Sequence, residues 1–201
     1  AEVHAQLQAL AAGNPAVIVY TSGTTAQPKG ALLTAAQMLS MSGTYFDELG
    51  GTEDDTLLSY LPLCHVAEKI FSQFTPLTSG ATVHFGESLD TVRQDLVEVS
   101  PTIFLGVPRI WEKVHAGVEV AIRNTTPEKR ALFHWAMGVA QRHHETGGSR
   151  VQRWLADVLV LRALRERLGL ARVRLAVSGA APIAPELLHW FHAIGVPILE
   201  G

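Results

Sequence analysis

The chain has 201 residues, a formal net charge of −3, 47% hydrophobic residues and 17% charged residues. That length and apolar fraction suffice for one sizeable buried core and exclude a disordered chain, and the weak negative charge gives no global case for a nucleic-acid partner. Cys64 is the single cysteine, which excludes an internal disulfide and fits a reducing cytoplasm, and no apolar run is long enough to span a bilayer.

In chain order, residues 2–12 read as a helix closed by Gly13-Asn14-Pro15. The apolar run 16–20 reads as a buried strand. Thr34 with Gln37 forms a capping box that predicts a helix running to about residue 49, where Gly50-Gly51 ends it. Residues 56–60 read as a strand, 65–77 as a helix, 81–85 as a strand, 89–99 as a helix stopped by Ser100-Pro101, and 102–105 as a strand. Pro108 and Pro127 sit at favoured first helical positions and start helices reaching towards Arg123 and Gly147. A third helix covers 151–168. Its apolar residues Val151, Trp154, Leu155, Val158, Leu159 and Leu168 recur at helical spacing, with Arg153, Arg162, Arg165 and Arg167 largely away from them. Residues 172–177 read as a strand, 185–194 as a helix and 196–199 as a last strand. Strands alternating with helices imply an α/β fold with a mostly parallel sheet flanked by helices.

Charge is uneven along the chain. Before position 101 there are 3 basic and 11 acidic residues; after it there are 13 basic and 8 acidic. The late basic surface suits an anionic cofactor, an anionic membrane or a partner, and equally describes a solvated helical face. Metal ligation is not indicated: His65 has no second His or Cys at ligand spacing, and His143-His144 point apart on a helix. Cys64 reads as a small core residue rather than a nucleophile.

Tyr20-Thr21-Ser22-Gly23-Thr24-Thr25-Ala26-Gln27-Pro28-Lys29-Gly30 carries the densest chemistry. Glycines let a backbone approach an anion, hydroxyls and N–H groups donate, and Lys29 neutralises charge, so the segment suits polyphosphate; an ordinary turn is the plainer alternative. It is not a Walker A loop, because Lys29 precedes Gly30 and no Ser or Thr follows the lysine. The string resembles the phosphate loop of the adenylate-forming superfamily, which includes acyl-CoA synthetases, luciferases and peptide-synthetase adenylation domains.

Further segments carry the same resemblance. Leu61-Pro62-Leu63-Cys64-His65-Val66-Ala67-Glu68 is similar to the family's strand-end Leu-Pro-x-x-His segment, and Glu68 with Lys69 matches long-chain acyl-CoA synthetases. Read from spacing alone, His65 and Glu68 share one face of a helix start, and a helix-end histidine with a capping carboxylate is the plainer alternative. Val107-Pro108-Arg109-Ile110-Trp111-Glu112-Lys113-Val114 also resembles a long-chain synthetase segment, with Trp111 a core residue of an amphipathic helix. Ser178-Gly179-Ala180-Ala181-Pro182-Ile183 is a small-residue turn after a strand, where α/β folds bind ligands. Many family members have Gly where this chain has Ala180. Pro197-Ile198-Leu199-Glu200-Gly201 resembles the lead-in to the family's adenine-binding strand end.

The resemblance implies that residues 1–201 form part of the large N-terminal AMP-binding (adenylation) domain of a long-chain fatty acid–CoA ligase. The small domain with the catalytic lysine and the Mg²⁺-binding Glu are expected beyond this chain. It implies ATP, Mg²⁺ and coenzyme A as reaction partners and a fatty acid as substrate. Thr21, Ser22, Gly23, Thr24, Thr25 and Lys29 would hold the β- and γ-phosphates, His65 would meet the carboxylate, Gly179, Ala180, Ala181 and Pro182 would flank the adenylate, and Glu200 and Gly201 would lie near adenine. The 201 residues alone are expected to be inactive, and the location cytoplasmic with or without membrane association. The alternatives are a fatty acyl-AMP ligase, a carboxylic acid reductase adenylation domain, and a non-catalytic nucleotide-binding or interaction module.

Overall fold

Nothing in the stretch from Pro28 to Thr34 reads as a strand in sequence, yet it forms one. The computed structural model describes residues 13–21, 28–48 and 50–201; the helix expected over 2–12 lies outside the described residues. Strand β1 (Pro15–Thr21) pairs antiparallel with β2 (Lys29–Thr34), in a register that sets Val19 opposite Ala31, Tyr20 opposite Gly30 and Thr21 opposite Lys29. Pro28, Lys29 and Gly30 are turn formers, so local propensity conceals the pairing. The expectation of a buried strand at 16–20 is corrected: Val19 is buried, but Ile18 is 54% and Tyr20 69% exposed. Among the described residues β1 pairs only with β2, and a lone two-stranded hairpin has too few neighbours to bury both faces.

The chain divides into two compact units, one made of Ala1–Asp55 with Ser59–Val83 and the other of Thr56–Leu58 with His84–Gly201. In the first, helix α1 (Ala35–Glu48) follows β2 directly. The capping box is present: the Thr34 N–H donates to Gln37 Oε1 at 2.9 Å, and the Gln37 N–H donates to Thr34 Oγ1 at 3.2 Å. Helix α2 (66–79) runs through Val66–Lys69, a π-turn at Ile70–Phe74 and Thr75–Ser79, and Gly80 ends it at φ +79°.

A five-stranded sheet has the order β4-β3-β5-β6-β7, with β3 (Thr56–Ser59), β4 (Thr82–Phe85), β5 (Ile103–Gly106), β6 (Leu175–Ser178) and β7 (Ile198–Glu200). The β3–β5, β5–β6 and β6–β7 pairs are parallel. Short strands rich in Ile, Leu, Val and Ala suit such a sheet, which buries its strands under helices. The flanking helices of the second unit are α3 (Val92–Val99), α4 (Pro108–Arg123), α5 (Pro127–Thr146), α6 (150–167) and α7 (Pro185–Ile194). Both prolines start their helices as the sequence predicts. Trp111, Phe104 and Phe191 are fully buried and meet edge to face, at ring separations of 5.3 and 5.0 Å. Burial of each such side chain contributes about 1.5–3 kcal/mol, and the ring geometry adds to it. Trp111 is therefore the core residue its spacing predicts.

Helix α6 contains a π-turn at Asp157–Leu161. Its apolar stripe faces outward, and two of its arginines take the packed side instead. The Arg165 guanidinium donates to Asp157 at 2.8 Å and to the Ile194 carbonyl at the end of α7 at 2.7 Å, while Arg153 reaches Asp157 at 3.4 Å. An arginine closing a helix C-terminus satisfies a carbonyl that the helix itself leaves open.

Candidate functional site

The sequence-derived site residues fall into two groups, one in each unit. In the first unit, Thr21 and Lys29 are the last facing pair of the β1–β2 hairpin. Residues 22–27, including Ser22, Gly23, Thr24 and Thr25, lie outside the described residues and connect the two strands. Lys29 therefore stands at the start of a strand rather than in the helix that follows a Walker A loop. It is exposed. Gly30 matters for close approach: a Cβ there would meet Ile18 Cγ2 at 3.0 Å and the Tyr20 ring at 3.4 Å. Without one, the Tyr20 ring folds across the strand opposite.

His65 is the N-cap of α2, with extended backbone (φ −81°, ψ 131°) and an exposed side chain. Its N–H donates to the Pro62 carbonyl at 3.0 Å, and its own carbonyl accepts from the Lys69 N–H at 3.1 Å. This corrects the reading that His65 and Glu68 share a helix face: His65 lies just outside the helix, so helical spacing does not apply to it. Glu68 turns the other way and is fully buried. Its Oε1 accepts from Ser59 Oγ at 2.5 Å and from Ser72 Oγ at 2.6 Å. The carboxylate thus ties the end of β3 to the first turns of α2, and the segment bearing His65 spans the gap between them. Ser59 and Ser72 are contributors that sequence reading missed; Ser72, four residues after Glu68, was the available signal. Glu68 makes no capping hydrogen bond, and Cys64 is exposed rather than in the core.

In the second unit, residues 179–182 leave the carboxyl end of β6. The Gly179 N–H donates to the Gly106 carbonyl at 3.2 Å, and the Ser178 carbonyl accepts from the Gly201 N–H at 3.0 Å. Ala180 holds φ +74°, a left-handed conformation that costs an L-residue about 1–2 kcal/mol. Glu200 Oε1 accepts from the Ile183 N–H at 3.3 Å, so the end of β7 closes over the turn. A Cβ at Gly179 would sit in ordinary van der Waals contact with the Gly201 carbonyl oxygen and Leu105 Cδ1, both at 3.9 Å.

Beneath the turn, Gly106 of β5 faces Ser178 of β6. A Cβ at Gly106 would strike the Trp111 ring at 2.5 Å, so glycine is required for that ring to seat. Trp111 Nε1 and Ser178 Oγ are both buried without a protein hydrogen-bond partner among the described residues. For metal, the described residues contain no group of three or more His, Cys, Asp or Glu placed to bind an ion. They do not supply a ligand set for Mg²⁺.

The family model described as AMP-binding enzyme matches residues 2–201. The Mycobacterium tuberculosis protein named fatty-acid–CoA ligase fadD11 is 39% identical over 193 residues, covering 91% of this chain and 34% of that protein. Human long-chain-fatty-acid–CoA ligase ACSBG1 is 34% identical over 198 residues, covering 92% of this chain and 27% of the relative. The chain thus spans about a quarter to a third of the length of these relatives. Among solved structures, the A-PCP didomain of carboxylic acid reductase from Segniliparus rugosus in complex with AMP is 27% identical, with a TM-score of 0.58 over 93% of this chain and 23% of that one. Apo MatB from Rhodopseudomonas palustris shares the fold at 22% identity and a TM-score of 0.61, over 95% of this chain and 29% of that one. The α/β architecture agrees with these matches, and the chain belongs to the AMP-binding enzyme family.

Proposed function

We propose that the chain supplies nucleotide- and carboxylate-binding elements of an enzyme that activates a long-chain fatty acid with ATP and passes it to coenzyme A. In the first step a carboxylate oxygen attacks the α-phosphorus of ATP; the acyl-AMP anhydride forms and pyrophosphate leaves. In the second, the thiol sulfur of coenzyme A attacks the acyl carbon; the thioester forms, AMP leaves, and the thiol proton is lost. Residues of this chain act by positioning and by charge. Thr21, Ser22, Gly23, Thr24, Thr25 and Lys29 take the β- and γ-phosphates, His65 takes the carboxylate, and Gly179, Ala180, Ala181 and Pro182 flank the adenylate beside Glu200 and Gly201. Mg²⁺ would neutralise the phosphates, held by residues other than those described. On this reading the 201 residues alone turn over little.

The observation that carries the proposal is the hairpin: Thr21 faces Lys29 across the two strands, so the two residues that flank the hydroxyl-rich sequence 22–27 stand opposite each other, one of them a cation. The fatty-acid–CoA ligase names of the relatives support the acyl substrate. The test is calorimetric ATP binding by the full-length enzyme, together with its ATP–pyrophosphate exchange in the presence of a fatty acid. Lys29→Ala is expected to weaken binding or slow exchange by about 10–100-fold, the range of a charge-assisted contact. Wild-type behaviour of that variant counts against the assignment. A second reading is favoured by the AMP-bound carboxylic acid reductase didomain: the same adenylate is handed to a carrier protein. Parallel assays with coenzyme A and with a holo carrier protein separate the two acceptors.

A further inference from the structure

Glu68 is a fully buried carboxylate to which the activation chemistry gives no task. Its Oε1 accepts from Ser59 Oγ at 2.5 Å and from Ser72 Oγ at 2.6 Å. Among the described residues no Lys, Arg or His forms an ion pair with it. Two neutral hydroxyls offset only part of the cost of taking a charge out of water, and apolar side chains of similar volume stabilise such a site as well or better. What the polar cluster adds is a single geometry, because one oxygen has to meet both hydroxyls.

That geometry belongs to an exposed segment. Ser59 closes β3 and Glu68 lies in the first turn of α2, so their hydrogen bond brackets residues 60–67, with His65 among them. Residues 62–67 are all exposed, so burial does little to place them. The backbone bonds of His65, to Pro62 and Lys69, shape the segment from within and tie it only to the turn that follows. On the other side of Glu68, Ser72 sits in the π-turn at Ile70–Phe74. Thr75 holds that wide turn: its N–H and its Oγ both donate to the Ile70 carbonyl, the hydroxyl at 2.8 Å. Single π-turns inside α-helices gather at functional sites. Here the turn carries one of the two hydroxyls that meet the carboxylate.

We propose that Glu68, clamped by Ser59 and Ser72, is a positioning residue for the acyl carboxylate: it touches no substrate and holds the exposed segment so that His65 does. The proposal rests on the functional reading above, in which His65 takes that carboxylate. The experiment measures fatty-acid-dependent ATP–pyrophosphate exchange by the full-length enzyme. Ser59→Ala frees the β3 end of the clamp and should lower kcat/KM for the fatty acid about tenfold, with KM for ATP unchanged. The triple variant Ser59→Ala, Glu68→Met, Ser72→Ala makes the cluster apolar. It should unfold at no lower denaturant concentration than the wild type and still lose at least about tenfold in the same ratio. Glu68→Gln keeps an acceptor oxygen and should stay within about threefold of the wild type. In a His65→Ala background, Ser59→Ala should add less than about twofold, because residues that act as a unit are not additive. A full tenfold loss in that background, an equal rise in KM for ATP, or wild-type kinetics of the triple variant overturns the positioning role and leaves the functional reading intact. A wild-type enzyme without fatty-acid-dependent exchange overturns both.

Discussion

A carboxylate removed from water is costly unless donors meet its oxygens. At Glu68 two serine hydroxyls do so, from opposite sides of the segment that carries His65. Glu68→Gln keeps the shape and leaves an acceptor oxygen for both hydroxyls. Glu68→Ala opens a cavity and strands two buried donors. Denaturant unfolding should therefore show a loss of about 2–4 kcal/mol for the alanine variant and less than about 1.5 kcal/mol for glutamine. Equal losses would show that Ser59 and Ser72 do not act through the carboxylate. The clamp was not legible in sequence. Ser59 ends a strand nine residues upstream, and its hydrogen bond to Glu68 follows no local sequence pattern. The turn at 178–183 was legible as a turn, because Gly179 and Pro182 interrupt the strand locally. The bond from Ile183 to Glu200 was not, since it joins residues seventeen apart through the β6–β7 pairing.

At the level of elements, start signals transferred well: the Thr34–Gln37 box and the prolines at 108 and 127 act through neighbours in sequence. The face presented by α6 did not transfer. Spacing identifies a stripe, but which side packs is decided by Asp157 and by the open carbonyl at Ile194, both matters of tertiary context. That arrangement has a pH signature. Partial burial works to raise the Asp157 pKa, but hydrogen bonding and charge from Arg165, with Arg153, outweigh it and hold the carboxyl below its ordinary value. A depressed folded pKa contributes stability that is fully present above the unfolded value near 4 and is lost as pH falls through the folded one. At neutral pH Asp157→Asn should cost about 1–2 kcal/mol, allowing for solvent screening at a partly exposed pair. The gap between the two unfolding midpoints should then close as the pH is taken below 4. A gap that is constant across that range would mean that the loss comes from shape and not from charge.

Across the whole molecule, apolar burial is divided unequally. The second unit holds the ring cluster of Phe104, Trp111 and Phe191 with fully buried Leu96, Leu161, Leu170 and Ile194. The hairpin of the first unit buries Val19 while Ile18, Tyr20 and Leu32 stay exposed. Local opening follows buried contact, so backbone amides should not exchange uniformly. Hydrogen exchange is expected to be at least about 100-fold slower in β5 and β6 than in β1 and β2, equivalent to about 2.7 kcal/mol or more between their opening free energies. Phe104→Leu sharpens the contrast. It removes part of a ring from the core of the second unit, at about 1–2 kcal/mol, and should speed exchange in β5 and β6 by about tenfold. The hairpin amides open through their own small unit and should keep their wild-type rates. If they accelerate with β5 and β6, the two units unfold together, and the hairpin bearing Thr21 and Lys29 draws its order from the same core as the turn at 178–183.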